Sequence, residues 1–262
     1  HLPGAKTRES LHGIEVVRFR YSWPSWQTLT GAGGIMTRLR TQRLNILLIP
    51  FFFLSEMMYL IWLGWKYKPV LIQAHWVIPQ GLVAWICSAV LRIPYVVTAH
   101  GSDISQMTHP ILRWVSTRIL AGARMRIAGS EELAETIQSF APYEVHSIPM
   151  GISDGYFEVQ RDNIDPHVIL SVGRLDRKKG FQHVIQALPE LSEYRYILIG
   201  EGPDKVFLQE ICQQFGVSDR VEFLGSKLPK EIMDWYQRVG MVIIPSTVEG
   251  LGLVAIEALA AG

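Results

Sequence analysis

The chain has 262 residues, 48% of them hydrophobic, which fills the core of one large domain or two ordinary ones and excludes a disordered chain. Its 25 Lys and Arg nearly balance 24 Asp and Glu, so no global field selects nucleic acid, and any anion site must be a local cluster. Cys87 and Cys212 each sit inside an apolar helical pattern, which predicts buried thiols in a reducing compartment, with no disulfide or metal role.

In chain order, no charged-then-apolar leader follows His1, and the helical run 253–262 stops where a strand is expected next. A chain cut at both ends is the expectation. A first strand is predicted at 14–20. Residues 44–63, LNILLIPFFFLSEMMYLIWL, are long enough to span a membrane and carry Glu56 as the single formal charge. Pro50 interrupts the run and Glu56 is costly at mid-bilayer, so two other readings compete with a span. One is a helix buried between layers or against another subunit. The other rests in the bilayer interface through Phe51, Phe52, Phe53, Trp62 and Trp65. Arg38, Arg40, Arg43, Lys66 and Lys68 flank the stretch, as suits anionic lipid or an ordinary solvated helix end.

Beyond it, short β-branched runs alternate with amphipathic segments, the pattern of parallel strands joined by helices. Strands are predicted at 70–75, 95–99, 125–128 and 144–148, with helices at 80–91 and 130–140, the latter capped by Ser130 with Glu131 and Glu132 in its first turn. Further strands fall at 168–172, 195–199, 221–224 and 241–244, with helices starting near Gly180, Pro203, Pro229 and Gly252. Between the halves, 150–166 has no periodic apolar face and reads as a linker. The expectation is two doubly wound α/β domains, 1–152 and 167–262, joined by 153–166, with no short-period repeat.

Ligands of open parallel sheets collect at the carboxyl ends of strands, and three loops there hold the chemistry. The first, GRLDRKKG at 173–180, carries Arg174 and Lys179 between a strand and a helix, so its cations point to an anion site over a merely solvated turn. The second, GEGPDK at 200–205, resembles a dinucleotide fingerprint, but Lys205 occupies the third glycine position and Pro203 is an ordinary helix opener. The third runs PSTVEGLGLVAIEA from Pro245 to Ala258. Its glycines admit a ligand close to the backbone, and the helix after Gly252 offers unpaired N–H groups and the positive end of its dipole to a diphosphate. Glu249 and Glu257 then reach different depths of one cleft, one acid toward a sugar and one toward a ribose diol.

In these residues the chain resembles the retaining glycosyltransferases of family four (glycosyl transferases group one), which have the GT-B fold of two facing Rossmann-like domains. The resemblance is carried in order by AHWVIPQG at 74–81, TAHGSD at 98–103, GS at 129–130, PMGI at 149–152, VGRLDRKKG at 172–180, IGEGP at 199–203, VEFLG at 221–225 and PSTVEGLGLVAIEALAAG at 245–262. It covers most of the chain from residue 70 onward and includes the family's two glutamates with seven residues between them. It implies that Arg174 and Lys179 bind the diphosphate of a UDP-, GDP- or ADP-sugar, that Glu257 holds the ribose hydroxyls, and that Glu249 contacts the transferred sugar. It implies backbone contacts from Gly250, Leu251, Gly252, Leu253 and Val254, and a sugar contact from His100 of the first domain.

The implied reaction retains anomeric configuration and needs no metal, because Arg174, Lys179 and the helix start take up the charge on the leaving phosphate. The expected acceptor is a carbohydrate or a lipid-linked hydroxyl, in polysaccharide or glycolipid synthesis, in the cytoplasm and peripheral on the inner face of the membrane through residues 44–65. Relative to the family, the first strand with its glycine-rich loop and the segment after Gly262 are missing from both incomplete domains, which puts the activity of this chain alone in doubt. A sugar-nucleotide epimerase on the same fold and a non-catalytic membrane scaffold are the competing functions.

Overall fold

The computed structural model describes residues 5–29, 42–105, 109–161, 163–247 and 252–262. Two compact units divide it, His1–Pro149 and Met150–Gly262.

In the first unit, β1 (Arg8–Leu11) and β2 (Ile14–Val17) form an antiparallel hairpin. The expected strand at 14–20 therefore stands outside the parallel sheet. The reason is local: His12 and Gly13 both take left-handed backbone angles, φ 51° and 82°, the two-residue turn whose twist matches a tight hairpin. The parallel sheet consists of β3 (Ile72–His75), β4 (Tyr95–Ala99), β5 (Met125–Ala128) and β6 (His146–Ser147), in that spatial order. Helices α2 (Leu82–Leu91), α4 (Pro110–Gly122) and α5 (Glu131–Gln138) lie between strands, as does the short turn α3 (Ser102–Ser105). The Ser130 hydroxyl accepts the N–H of Leu133 at 3.3 Å, which is the expected cap of α5.

Helix α1 (Ile49–Tyr67) occupies most of the membrane-like stretch. Pro50 does not interrupt it. It sits in the first turn, where its missing N–H has no intrahelical acceptor to lose. One side of α1 is packed: Phe52 joins Tyr21 and Leu29 in a small cluster, and Phe53, Met57, Leu60 and Ile61 lie against the main core around Val83, Cys87 and Val97. Gly64 lets α2 approach, since a Cβ there would meet the end of Leu91 at 2.3 Å.

In the second unit the sheet runs β10–β7–β8–β9, all parallel, from β7 (Asp165–Val172), β8 (Arg195–Ile199), β9 (Val221–Gly225) and β10 (Val239–Val242). Apolar side chains alternate between two cores, as a parallel strand covered on both faces requires. Ile169, Tyr196 and Leu198 face α6 (Phe181–Ala187) and α7 (Lys205–Gln214). Val168, Leu170, Ile197 and Ile199 face the side of α8 (Pro229–Tyr236) and α9 (Leu253–Ala260). Each such fully buried aliphatic side chain contributes about 1.5 to 3 kcal/mol. The stretch 153–166, expected as a linker, belongs to this unit. It forms a short helical turn, Asp154–Tyr156, and Tyr156, only 3% exposed, packs into the second core. A single aromatic anchor among polar residues leaves no periodicity to read.

Candidate active site

The strand order decides where a ligand fits. From β7 the chain crosses to β8 and β9 on one side, and β10 returns to the other side of β7. A crevice opens at such a reversal, outside the carboxyl ends of the two strands. The loop 173–180 leaves β7 there, and the loop leading to Gly252 leaves β10.

Backbone contacts hold these loops together. The carbonyl of Lys178 accepts the Thr247 N–H at 2.9 Å and the Thr247 hydroxyl at 3.2 Å. Gly180 has φ 70°, and a Cβ on it would stand 2.0 Å from the Pro245 carbonyl oxygen. On its other flank the cationic loop rests on 200–205. Leu175 N–H donates to Glu201 O at 3.1 Å, Asp204 N–H to Leu175 O at 3.1 Å, and Arg177 N–H to the Asp204 carboxylate at 2.8 Å. A Cβ on Gly200 would lie 1.9 Å from Gly173 O, and one on Gly202 2.1 Å from Leu175 O. The glycines of the fingerprint-like segment therefore serve backbone packing against the cationic loop.

That packing sorts the loop's cations. Arg177 stacks its guanidinium 3.7 Å from the centre of the Phe207 ring on α7, a cation–π contact that ties it to that helix. Arg174 lies half exposed, its Nε 3.9 Å from the Asp176 carboxylate. Lys179 folds back so that its Cδ and Cε pass within 4 Å of where a Gly173 side chain would be, at the start of the loop that carries Arg174. Gly252 heads α9 with φ 62°, and the first N–H groups of that helix, on Leu253 and Val254, have no acceptor within it. Glu249, Gly250 and Leu251 lie outside the described residues.

Glu257, on α9, faces two tyrosines that the sequence did not single out. Burial raises its carboxyl above the usual range, and hydrogen bonding from Tyr156 and Tyr236 opposes that shift. The Tyr236 hydroxyl is buried and completes no hydrogen bond of full geometry among the described residues. The tyrosine rings stand 6.0 Å apart. Tyr156 lies in the segment expected as a linker and Tyr236 ends α8.

In the first unit, His75 at the end of β3 and His100 after β4 meet at 2.9 Å, Nδ1 to Nε2, with rings 5.2 Å apart. Burial, then the neighbouring His75, lower the pKa of His100, and Asp103 works against them. A neutral imidazole is thus favoured there. Asp103, the last residue of the TAHGSD run, fixes both loops: its carboxylate accepts the N–H of His100 at 3.0 Å and that of Val77 at 2.8 Å. A cavity of about 510 Å³ beside His75 is lined also by Glu56, Gln73, Trp76 and Gln80. Glu56 Oε2 and Gln80 Oε1 are buried with no partner among the described residues, and burial pushes the Glu56 carboxyl up to about 7.

Two parallel-sheet α/β units, with cationic and helix-start loops at the carboxyl ends of one sheet, define the GT-B class of nucleotide-sugar glycosyltransferase folds. Sucrose-phosphate synthase from Thermosynechococcus elongatus shares this fold, with a TM-score of 0.75, 21% identity, and coverage of 99% of this chain and 67% of that one. Anabaena HepE in complex with UDP-glucose gives 0.68 at 20% identity over 88% and 69%. The chain belongs to glycosyltransferase family 4: the family model of that description matches residues 10–155, and the model for glycosyl transferases group 1 matches 154–262. The putative teichuronic acid biosynthesis glycosyltransferase TuaC of Bacillus subtilis is 27% identical over 207 residues, 73% of this chain and 51% of the relative. The 2-deoxystreptamine glucosyltransferase of Streptomyces kanamyceticus is 26% identical over 234 residues, 73% and 57%. The chain spans about half the length of the curated relatives it matches.

Proposed function

We propose that the protein is a retaining glycosyltransferase that moves a sugar from a nucleoside-diphosphate sugar to an acceptor hydroxyl. The observation that carries this reading is the pinning of the Arg174–Lys179 loop to the loop leading into Gly252, on neighbouring strands at the reversal of the sheet. Both electropositive elements then serve one diphosphate. The HepE complex with UDP-glucose favours a UDP-sugar among UDP-, GDP- and ADP-sugars. The name of TuaC, a putative teichuronic acid biosynthesis glycosyltransferase, favours a carbohydrate or lipid-linked acceptor in polysaccharide or glycolipid synthesis. Work at the inner, cytoplasmic face of the membrane, with contact through residues 44–65, belongs to the same reading.

In this mechanism the bond from the anomeric carbon to the diphosphate oxygen breaks and the electron pair leaves with the diphosphate. Arg174, Lys179 and the Leu253 and Val254 N–H groups stabilise that growing charge, in the role a divalent ion plays elsewhere. The acceptor oxygen bonds to the anomeric carbon on the face the phosphate leaves, and its proton passes to the departing oxygen. Glu257 accepts hydrogen bonds from the ribose diol. Glu249, Gly250, Leu251 and His100 are assigned to the transferred sugar, His100 as a neutral imidazole.

The test is calorimetric titration of UDP-, GDP- and ADP-glucose into the intact protein and its Arg174→Ala and Lys179→Ala variants. Loss of a charged hydrogen bond costs on the order of 1 to 3 kcal/mol, so each variant should weaken the preferred donor about tenfold to a hundredfold. Unchanged dissociation constants in both variants refute the site. Donor turnover without an acceptor would favour an epimerase.

A further inference from the structure

Helix α1 and the turn before it present a continuous apolar stripe to solvent. Leu47, Phe51, Leu54, Met58, Trp62 and Trp65 recur at intervals of three and four residues, so they share one side of the helix. All are exposed, Phe51, Met58 and Trp65 by 58%, 61% and 65%. From Leu47 to Trp65 the stripe is about 27 Å long. Exposed single apolar residues are ordinary, but a contiguous row of six with three aromatic rings marks an interaction surface.

The composition of the row and its ends selects the partner. The acid of this stretch, Glu56, points away from the stripe into the cavity under α1, where burial favours its neutral form. Within α1 no carboxylate therefore lies on the stripe; the nearest acid described at its far end, Glu15, accepts the Tyr67 hydroxyl at 3.3 Å, past Trp65. At its far end Lys66 lies over the rings of Trp62 and Tyr67, 5.1 and 5.0 Å from their centres, and exposed Lys68 follows. Indole rings beside ammonium groups suit the boundary between acyl chains and anionic headgroups.

The orientation follows from the opposite side of the helix. Leu44–Tyr67, the turn and α1 together, is long and apolar enough to cross a membrane, but Phe53, Met57, Leu60 and Ile61 are packed on the core and Gly64 on α2. A span would strip those contacts or drag the α/β unit into hydrocarbon, where loops and sheet edges are not tolerated.

We propose that α1 docks the protein in the plane of an anionic bilayer, with the stripe from Leu47 to Trp65 immersed at the headgroup boundary and Lys66 and Lys68 meeting lipid phosphates. This rests on the membrane contact of residues 44–65 in the functional reading above and specifies its depth, direction and lipid charge.

The test is flotation of the intact protein with vesicles of phosphatidylcholine alone or of equal parts phosphatidylglycerol and phosphatidylcholine. It should float with the anionic vesicles, more weakly with neutral ones, and less as salt rises. Met58→Glu and Trp65→Glu should each lower partitioning on the order of tenfold, and alkaline carbonate should release the protein. Both positions face solvent, so circular dichroism should match the wild type. Equal partitioning onto both vesicle types, indifference to both substitutions, or retention through the carbonate wash overturns the proposal. So does a dimer that Met58→Glu dissociates while no vesicle binding occurs, which would assign the stripe to a second copy. Calorimetry with UDP-glucose on the same samples separates the two claims: nucleotide binding without flotation sinks the docking alone, and flotation without nucleotide binding sinks the glycosyltransferase reading alone.

Discussion

Gly180→Ala tests the link between the two phosphate-side loops. Its φ of 70° places any L side chain in the left-handed region, which costs about 1 to 2 kcal/mol. A Cβ would also stand 2.0 Å from Pro245 O and 2.9 Å from its carbonyl carbon. Because both are backbone atoms, the loop before Gly252 must move by about 1 Å, an overpacking cost of about 1 to 3 kcal/mol more. Gly216→Ala is the matched control: φ is 66° and no atom lies within 4 Å of its Cβ, so only the backbone cost applies. Urea unfolding should place Gly180→Ala about 1 to 3 kcal/mol below Gly216→Ala. Donor titration should show weaker UDP-glucose binding in Gly180→Ala alone, because the Lys178 to Thr247 bonds that hold the loops together are disturbed. Equal stability and equal donor affinity in the two variants would refute the claim that this contact organises the site.

Two further outcomes concern buried acids. Glu257 must be ionised to accept from both ribose hydroxyls, and its pKa lies above the ordinary value, so donor affinity should begin to fall, as pH is lowered, at a higher pH than an exposed glutamate would give. Tyr156→Phe removes a hydrogen bond that lowers the Glu257 pKa and should move that limb further up, read from calorimetric titrations across pH; an unmoved limb contradicts the role. Glu56, raised to about 7, folds more favourably as the neutral acid. Its stabilisation is present below its unfolded pKa and is lost as pH rises through about 7. Glu56→Gln should flatten the decline in unfolding free energy between about pH 5 and 8, by no more than about 2 kcal/mol because the group is partly screened, read from urea unfolding across pH; an unchanged pH profile refutes it.

Strand placement was legible because β-branched runs bounded by glycine need only local patterning, and 95–99, 125–128 and 195–199 coincide with β4, β5 and β8. The loops that carry Arg174 and Lys179 were legible for the same reason, since a cationic turn between a strand and a helix is visible along the chain. Other features were not. Whether Gly200 and Gly202 cradle a cofactor or another loop depends on Gly173 and Leu175, which approach only after β7 and β8 pair. The partners of Glu257 come from 101 and 21 residues away, Tyr156 and Tyr236.

The sequence by itself determined the alternation of strands and helices, the family and the chemistry of the candidate residues, because periodicity, turn propensity and side-chain charge are properties of neighbours in the chain. The tertiary structure alone decided that β10 lies beside β7, that Asp103 ties two loops and that α1 is covered on one side and bare on the other. Those facts follow from which surfaces meet when apolar faces are buried together, and contacts between distant segments leave no mark in the local pattern.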